Sequence, residues 1–238
     1  MSTVEKLDRL IADQLQAALA SAVIGRQIIV LEETSSTNDA ILEVASSQGA
    51  VVDRPLSLVD EGLVLFAEHQ TAGRGQRGNR WESTAGKGLW FSMLLRPDIQ
   101  LRDSGCLTLW ATEAISDVIQ IEFGLETAIK LPNDVQLNGQ KVAGVLVEMR
   151  AQEKAPHLAV VGIGINVNQS PGDFPSELQG RATSLAMTIR QQIDRQKFAV
   201  ALLQNLDFRY QEQFSNSLNS SPAPTTTCGK RGAKFPTV

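Results

Sequence analysis

Residues 67–95 read AEHQTAGRGQRGNRWESTAGKGLWFSMLL, and the placement of their glycines separates a dinucleotide fold of parallel strands from other architectures. Gly73-Arg74-Gly75-Gln76-Arg77-Gly78 satisfies the pattern G-x-G-x-x-G and follows a strand-like run, Leu63 to Ala67. A dinucleotide fold also needs a helix opening at the third glycine, so that its N–H groups meet the pyrophosphate, and an acidic residue at the end of a second strand about 20 residues on. Neither is present. Asn79 to Gly88 carries further turn formers and no apolar repeat at helical spacing. A phosphate-cradling P-loop fails too, because Lys87 is followed by Gly88 rather than by Ser or Thr. What remains is a glycine-punctuated loop between two strands, carrying Arg74, Arg77 and Arg80. Glycines let backbone N–H groups approach an anion, and arginines grip carboxylate or phosphate oxygens. The alternative reading is a solvated basic hairpin loop.

Outward from this loop, Leu89–Leu95 reads as a buried strand. Asp103 to Phe123 reads as a long helix with Leu107, Trp110, Ala114, Val118 and Ile121 on one face. Val135-Gln136-Leu137 and Gln140-Lys141-Val142 alternate around Asn138-Gly139, the signature of a hairpin with a type I′ turn. The second of these strands continues to Met149, and another runs from His157 to Asn168. Gly162 and Gly164 within that strand imply a bulge or the close approach of another group. Toward the N-terminus, Ile28–Leu31 is a short strand, followed by TSSTND at 34–39 and an apolar-periodic run from Ala40 to Ala45. One of those polar residues would suffice as a helix cap, and six in succession exceed that need. Residues 3–20 carry apolar positions at helical spacing and predict one amphipathic helix, while Asp194 is placed to cap a last helix running to about Phe214. Strands dominate the middle and helices flank them without βαβ regularity, which predicts an α+β fold with a mixed sheet.

Composition limits the function classes. At 238 residues and 42% hydrophobic, the chain can bury a full core. A net charge of -4 and a pI of about 5.3 give no overall attraction to nucleic acid, so an anion site must be local. Two cysteines far apart, Cys106 and Cys228, form neither a disulfide framework nor a metal pair, and two histidines offer little to a catalytic triad or a zinc site. No stretch approaches the length of a membrane span and no signal peptide is evident, so the expectation is a soluble, cytoplasmic protein. Ser215 to Val238 is Ser-, Thr- and Pro-rich and then Gly- and Lys-rich, and is expected to be a mobile tail.

Four strings stand in a fixed order: TSSTND (34–39), AEHQTAGRGQRGNRW (67–81), KLPNDVQLNGQKVAGVLVE (130–148) and GIGINVN (162–168). Together they resemble the catalytic domain of the biotin protein ligases over roughly residues 27 to 210. The resemblance implies the biotinyl/lipoyl protein ligase fold, similar to class II aminoacyl-tRNA synthetases. It also implies a reaction in which biotin and MgATP form biotinyl-5′-adenylate, and a carrier-domain lysine of a biotin-dependent carboxylase then takes the biotinyl group. Joining two anions calls for cations, and the positions that match are Lys141 and Arg74, the catalytic candidates. By the same resemblance, Ser36, Thr37, Asn38 and Gln70 contact biotin, together with Arg74, Gly75, Gln76 and Lys141. Gly73, Arg74, Gly75, Asn133 and Asn166 fall on the nucleotide side. Trp81 either packs near the nucleotide or covers core. Asp134 either helps to hold Mg²⁺ or caps local structure.

The chain departs from the family pattern at Gln76, where an arginine that helps retain the adenylate is frequent. Only about 26 residues precede the first strand, too few for the helix-turn-helix domain of the family's repressor members, so no nucleic-acid role is expected. The tail lacks the alternating strands of the family's small C-terminal β-barrel. The oligomeric state is left open, a homodimer being one alternative. A lipoate–protein ligase and a non-catalytic biotin-binding protein are the competing functions.

Overall fold

The computed structural model describes residues 8–21, 23–47, 61–152 and 156–215. Its centre is a mixed seven-stranded sheet. In chain order the strands are β1 (Gln27–Thr34), β2 (Leu63–Gln70), β3 (Gly88–Leu95), β4 (Ala128–Lys130), β5 (Asp134–Leu137), β6 (Gln140–Arg150) and β7 (Leu158–Asn166). In space the order is β1-β2-β3-β7-β6-β5-β4, with β1 and β2 parallel and every other neighbouring pair antiparallel. The expected α+β class with a mixed sheet is what forms.

Alternation along the strands sorts side chains onto two faces. Val64, Phe66, Leu89, Phe91, Met93, Val161, Ile163 and Ile165 join the larger core, under α3 (Gly105–Phe123) and α5 (Arg195–Tyr210). Leu63, Leu65, Leu94, Leu158 and Val160 join a smaller cluster under α2 (Thr37–Ser47), with Ala40, Ile41 and Ala45. Covered on both sides, β3 and β7 are buried at every position, which is why they read as continuous apolar runs. Along the α2 face the apolar cluster then gives way to Ser92 on β3, Gly162 and Gly164 on β7, and Gly144 and Leu146 on β6. These residues are neighbours by register: Ser92 opposite Gly162, Leu146 opposite Gly162, and Gly144 opposite Gly164. That polar and glycine-rich half of the face carries the site.

Local signals hold closely. Asn138 and Gly139 take positive φ of 50° and 78°, as a type I′ turn requires. Asp194 caps α5 by accepting from Lys197 N at 3.0 Å. One expectation needs correction on α3: Ile121 is 68% exposed, although Leu107, Trp110, Ala114 and Val118 of the same face are buried. On α5, Phe198, Leu202 and Leu206 are buried while Phe208 is 60% exposed.

The N-terminal helix is shorter than its periodicity suggests: α1 spans Ala12–Ala18. Residues 8–11 are not helical, residues 1–7 lie outside the described residues, and so do 216–238 of the expected tail. The physical reason is tertiary. Leu10 N donates to Glu68 Oε1 at 2.8 Å and Ile11 N to Gln196 Oε1 at 3.0 Å. The Arg195 guanidinium donates to Asp8 O and, at 2.8 Å, to Glu68 Oε2. Arg195 is 1% exposed, so this segment closes a buried ion-pair cluster. Burial raises the Asp8 carboxyl above its ordinary value, and the Arg195 charge opposes that only in part.

Candidate active site

The first wall of the site is the start of α2. Ser36 O accepts from Ala40 N at 3.0 Å, and the Thr37 N–H and hydroxyl both donate to Gln70 Oε1, at 2.9 and 3.2 Å. A glutamine from β2 thus satisfies the helix N-terminus. Because a backbone N–H can only donate, Gln70 must present its oxygen to Thr37, and its Nε2 donates to Ser83 Oγ at 3.0 Å. The same logic orients Asn38. Its Nδ2 meets the Glu148 carboxylate at 2.7 Å, and its Oδ1 accepts from Ser92 Oγ at 2.6 Å. Ser36, Thr37, Asn38, Gln70, Ser83 and Ser92 are all buried. Such a network holds its members in single orientations when every polar atom has a partner.

Gly162 makes room for it. A Cβ there would lie 2.3 Å from Asn38 Oδ1, so the asparagine can lie on the strand only over a glycine. The glycines within the strand therefore mark a close approach and not a bulge, since the β3–β7 and β6–β7 registers run unbroken.

The second wall is the arginine–glycine loop, which folds as a hairpin. Trp81 N donates to Gly73 O at 2.9 Å and Gly75 N to Asn79 O at 2.7 Å, closing on a 3-10 turn at Gln76–Gly78. Arg77 at its tip has φ 58°. A Cβ on Gly73 would lie 2.6 Å from Trp81 O, so close packing of the hairpin also requires that glycine. Arg74 is anchored at one nitrogen: its Nη2 donates to Asp39 Oδ1 at 2.9 Å and to Glu148 Oε2 at 3.0 Å. Arg80 pairs with Glu82 at 3.1 Å, away from that cluster. Beyond the hairpin, Lys87 pairs with Asp173 at 2.9 Å. Burial alone would raise the Asp173 carboxyl, but hydrogen bonds from Ser170 and Lys87 outweigh it and hold it below the usual carboxylate range.

The third wall is β5–β6. The register passes from Val135 opposite Ala143 to Gln136 opposite Lys141, leaving Val142 as the extra residue of a bulge. A bulge re-aims the side chains beyond it, and Lys141 turns onto the face of Gly144, where a Cβ would lie 3.1 Å from Lys141 Nζ. The Lys141 backbone is fixed as well, donating to Arg181 O and accepting from Thr183 N, each at 2.9 Å. Its ammonium lies 2.7 Å from Asp134 Oδ1 and 5.0 Å from the centroid of the Trp81 ring. The Asp134 contact is an ion pair without hydrogen-bond alignment, and that buried oxygen has no hydrogen-bond donor. Trp81 lies across Gly164, where a Cβ would sit 2.4 Å from the indole, and meets Trp90 edge-on at 6.0 Å. It covers the sheet and lines the cleft at once. Asn133 is held by reciprocal bonds with Val145.

Ser36, Thr37, Asn38, Gln70, Arg74 and Gly75 share one cleft with Trp81, Asn133 and Lys141. Its volume is about 40 Å³. Arg74 and Gly75 also border a neighbouring open trough of about 500 Å³, lined by Gln76, Arg77 and Glu148. Asn166 stands outside both: it is buried and donates to Thr183 O at 3.0 Å, a carbonyl that a buried loop must satisfy. Ser83, Ser92, Asp39 and Glu148 were not among the sequence candidates. A hydroxyl inside the apolar run LWFSMLL was a usable signal for Ser92, whereas Glu148 reads as the polar end of a strand.

Chemically, the arrangement joins a neutral, buried hydrogen-bonding wall to two cations across a strip of glycines. It suits a ligand with an uncharged polar head and an anionic end. The chain matches the family described as biotin/lipoate A/B protein ligase over residues 32–166. It is 37% identical over 213 residues to the bifunctional ligase/repressor BirA of Bacillus subtilis (strain 168), covering 90% of this chain and 62% of that protein. It therefore spans less than two thirds of the length of that relative. With the biotin–[acetyl-CoA-carboxylase] ligase of Mycobacterium tuberculosis it shares 37% identity over 206 residues, 85% of this chain and 70% of the relative. Among solved structures, the biotin protein ligase from Aquifex aeolicus in complex with biotin and ATP superposes with a TM-score of 0.64 at 28% identity, over 81% of this chain and 73% of that one. On the extent of these matches, and with the fold and cleft described above, the chain belongs to the biotin/lipoate A/B protein ligase family.

Proposed function

We propose that the protein activates biotin with ATP as biotinyl-5′-adenylate and transfers the biotinyl group to a lysine of a biotin carboxyl carrier domain. The observation that carries this reading is the convergence of Thr37, Asn38 and Gln70 with Arg74 and Lys141 in one cleft. The neutral wall of Ser36, Thr37, Asn38 and Gln70 would take the uncharged ureido head. A site built to pair buried polar groups rejects ligands that lack them by large factors.

In the first step a carboxylate oxygen of biotin attacks the α-phosphorus, the bond to the β-phosphate oxygen breaks, and pyrophosphate leaves. Two anions must approach, so fixed cations offset their repulsion and the charge developing in the transition state. Lys141 and Arg74 supply them, and Gly73 and Gly75 let the loop backbone approach the adenylate closely, the Gly75 N–H itself being given to Asn79 O across the hairpin, with Gln76 flanking. Trp81 and Asn133 border the nucleotide side, while Asn166 acts from behind by fixing the Thr183 loop. In the second step the carrier amine attacks the acyl carbon, AMP leaves, and the amine releases a proton.

Among the described residues no three metal-ligating side chains cluster. Mg²⁺ held chiefly by phosphates needs only one or two carboxylates, and Asp134 is the candidate, its Oδ1 lacking a hydrogen-bond donor but standing 2.7 Å from the Lys141 ammonium, which would have to share it with the ion. There the ion would screen phosphate charge. No described helix is long and apolar enough to cross a membrane.

The test is pyrophosphate release from ATP with biotin, with lipoate and with neither. Release that depends on biotin supports the reading. Release with lipoate alone would reassign the substrate, and none with either would leave a binding protein.

A further inference from the structure

Glu148 has no part in the chemistry above, yet two segments of the site meet at one of its oxygens. By register it lies opposite Val160 on β7, on the sheet face that also carries Leu146 and Gly144. Its Oε2 accepts from Asn38 Nδ2 at 2.7 Å and from Arg74 Nη2 at 3.0 Å. Asn38 belongs to the neutral wall and Arg74 to the cationic loop, so a single carboxylate oxygen joins the two halves of the site. Asp39, the residue after Asn38, accepts from the same Nη2 at 2.9 Å.

A guanidinium carries five N–H donors in a rigid planar fork. Both hydrogens of Arg74 Nη2 are taken by the two carboxylates, while Nη1 and Nε have no hydrogen-bond partner among the described residues. The Arg74 side chain is 41% exposed and would otherwise sample many rotamers. One nitrogen is thus pinned and the rest of the fork is left to an anion. For Asn38 the effect is orientation. With Nδ2 on a carboxylate and Oδ1 on Ser92, the amide cannot flip, so it offers a ligand one fixed pattern of donor and acceptor.

Resting on the biotin-adenylating reading above, we propose that Glu148 is a positioning residue, which fixes the Asn38 amide and aims Arg74 so that both ends of the acid substrate are met in one preset geometry. The opposite possibility is that Asp39 and Glu148 park Arg74 as counter-ions that a substrate anion must displace. The two make opposite predictions. Removing a positioning carboxylate weakens acid binding, whereas removing a competitor strengthens it.

The experiment measures biotin-dependent pyrophosphate release for wild type, Glu148→Gln and Glu148→Ala, each alone and with Arg74→Ala, alongside melting curves. Charge-assisted hydrogen bonds are roughly twice as strong as neutral ones, so Glu148→Gln should raise the biotin KM about threefold and Glu148→Ala about tenfold or more. Loss of ground-state positioning raises KM and leaves kcat within about twofold. In the Arg74→Ala background the Glu148→Ala effect should shrink to about half or less, since contacting residues are energetically coupled. A merely structural role would lower melting temperature and kcat together and leave KM unmoved, and that result overturns the proposal. So does an unchanged or lowered KM in Glu148→Gln, the isosteric variant chosen to retain the fold. Wild type inactive with biotin would sink the underlying reading as well, an outcome distinct from an active wild type with indifferent variants.

Discussion

Alanine at Gly162 is the substitution whose consequence the structure fixes most tightly. The backbone there is regular strand, in which alanine is intrinsically preferred to glycine by roughly 0.5–1 kcal/mol. Space decides against it. The added Cβ would lie 2.3 Å from Asn38 Oδ1, 3.0 Å from Cγ and 3.2 Å from Nδ2. An ordinary contact is about 3.5 Å or more, so the amide must withdraw by about 1 Å. Its bonds to Ser92 at 2.6 Å and to Glu148 at 2.7 Å cannot both survive that shift. Overpacking of this kind costs about 1–3 kcal/mol, and losing a hydrogen bond to a charged group about 1.5–3 kcal/mol more, with the alanine preference offsetting part. We expect a stability loss of about 2–5 kcal/mol and, because Asn38 leaves the wall, biotin binding weakened by about tenfold or more. Chemical denaturation measures the first and calorimetric titration the second. Gly105→Ala, at the start of α3 where a Cβ meets nothing within 4 Å, is the control and should leave biotin binding unchanged and stability equal or higher by up to about 1 kcal/mol. Gly162→Ala with wild-type biotin affinity would refute the reasoning, since the floor would then have no need of a glycine.

Other perturbations follow from the same geometry. Lys141→Ala should cut the rate of pyrophosphate release by about 10²–10³-fold while leaving the fold intact, because the backbone of Lys141 is held by Arg181 and Thr183; undiminished release would remove Lys141 from the chemistry. Asp173→Asn tests a pH dependence. The folded carboxyl is lowered from 3.8, so its ionised form contributes stability above that value and loses it as pH falls through the lowered one. The variant should be less stable than wild type by about 1–2 kcal/mol at pH 7 and equal to it in strong acid, by denaturant titration at both. At Gln76 an amide holds the adenylate without charge, so wild type should biotinylate a bystander protein more than Gln76→Arg at equal adenylate production; equal labelling by blot would mean that the neighbouring arginines supply the retention.

Sequence and structure agree most closely where a short-range rule governs. Asn138-Gly139 demands its turn, Asp194 its cap, and the apolar run at 89–95 a strand buried on both faces. The order of the four strings brought Thr37, Asn38, Gln70, Arg74 and Lys141 to one site, although residues 37 and 141 share no local signal. The rest was hidden by distance along the chain. Asn38 and Glu148 are 110 residues apart, and a strand-end glutamate facing solvent has the same letter as one holding an arginine. Arg195 looks like a surface helix residue until residues 8–11 fold over it, and that tertiary demand is also what shortens the first helix. Ile121 continues the helical periodicity of α3 and is nonetheless exposed, because spacing marks one face of a helix and not how far that face is covered. The bulge at Val142, which turns Lys141 into the cleft, leaves no mark in an alternating strand.

The central claim is a transfer, and the most direct measurement is the mass of its acceptor. A biotin carboxyl carrier domain incubated with the protein, ATP, Mg²⁺ and an equimolar mixture of biotin and lipoate should gain a single biotinyl group on one lysine. The gain should be absent without ATP and lost when that lysine is replaced by arginine. A carrier that gains lipoyl instead, or whose mass is unchanged while biotin is bound, would contradict the account.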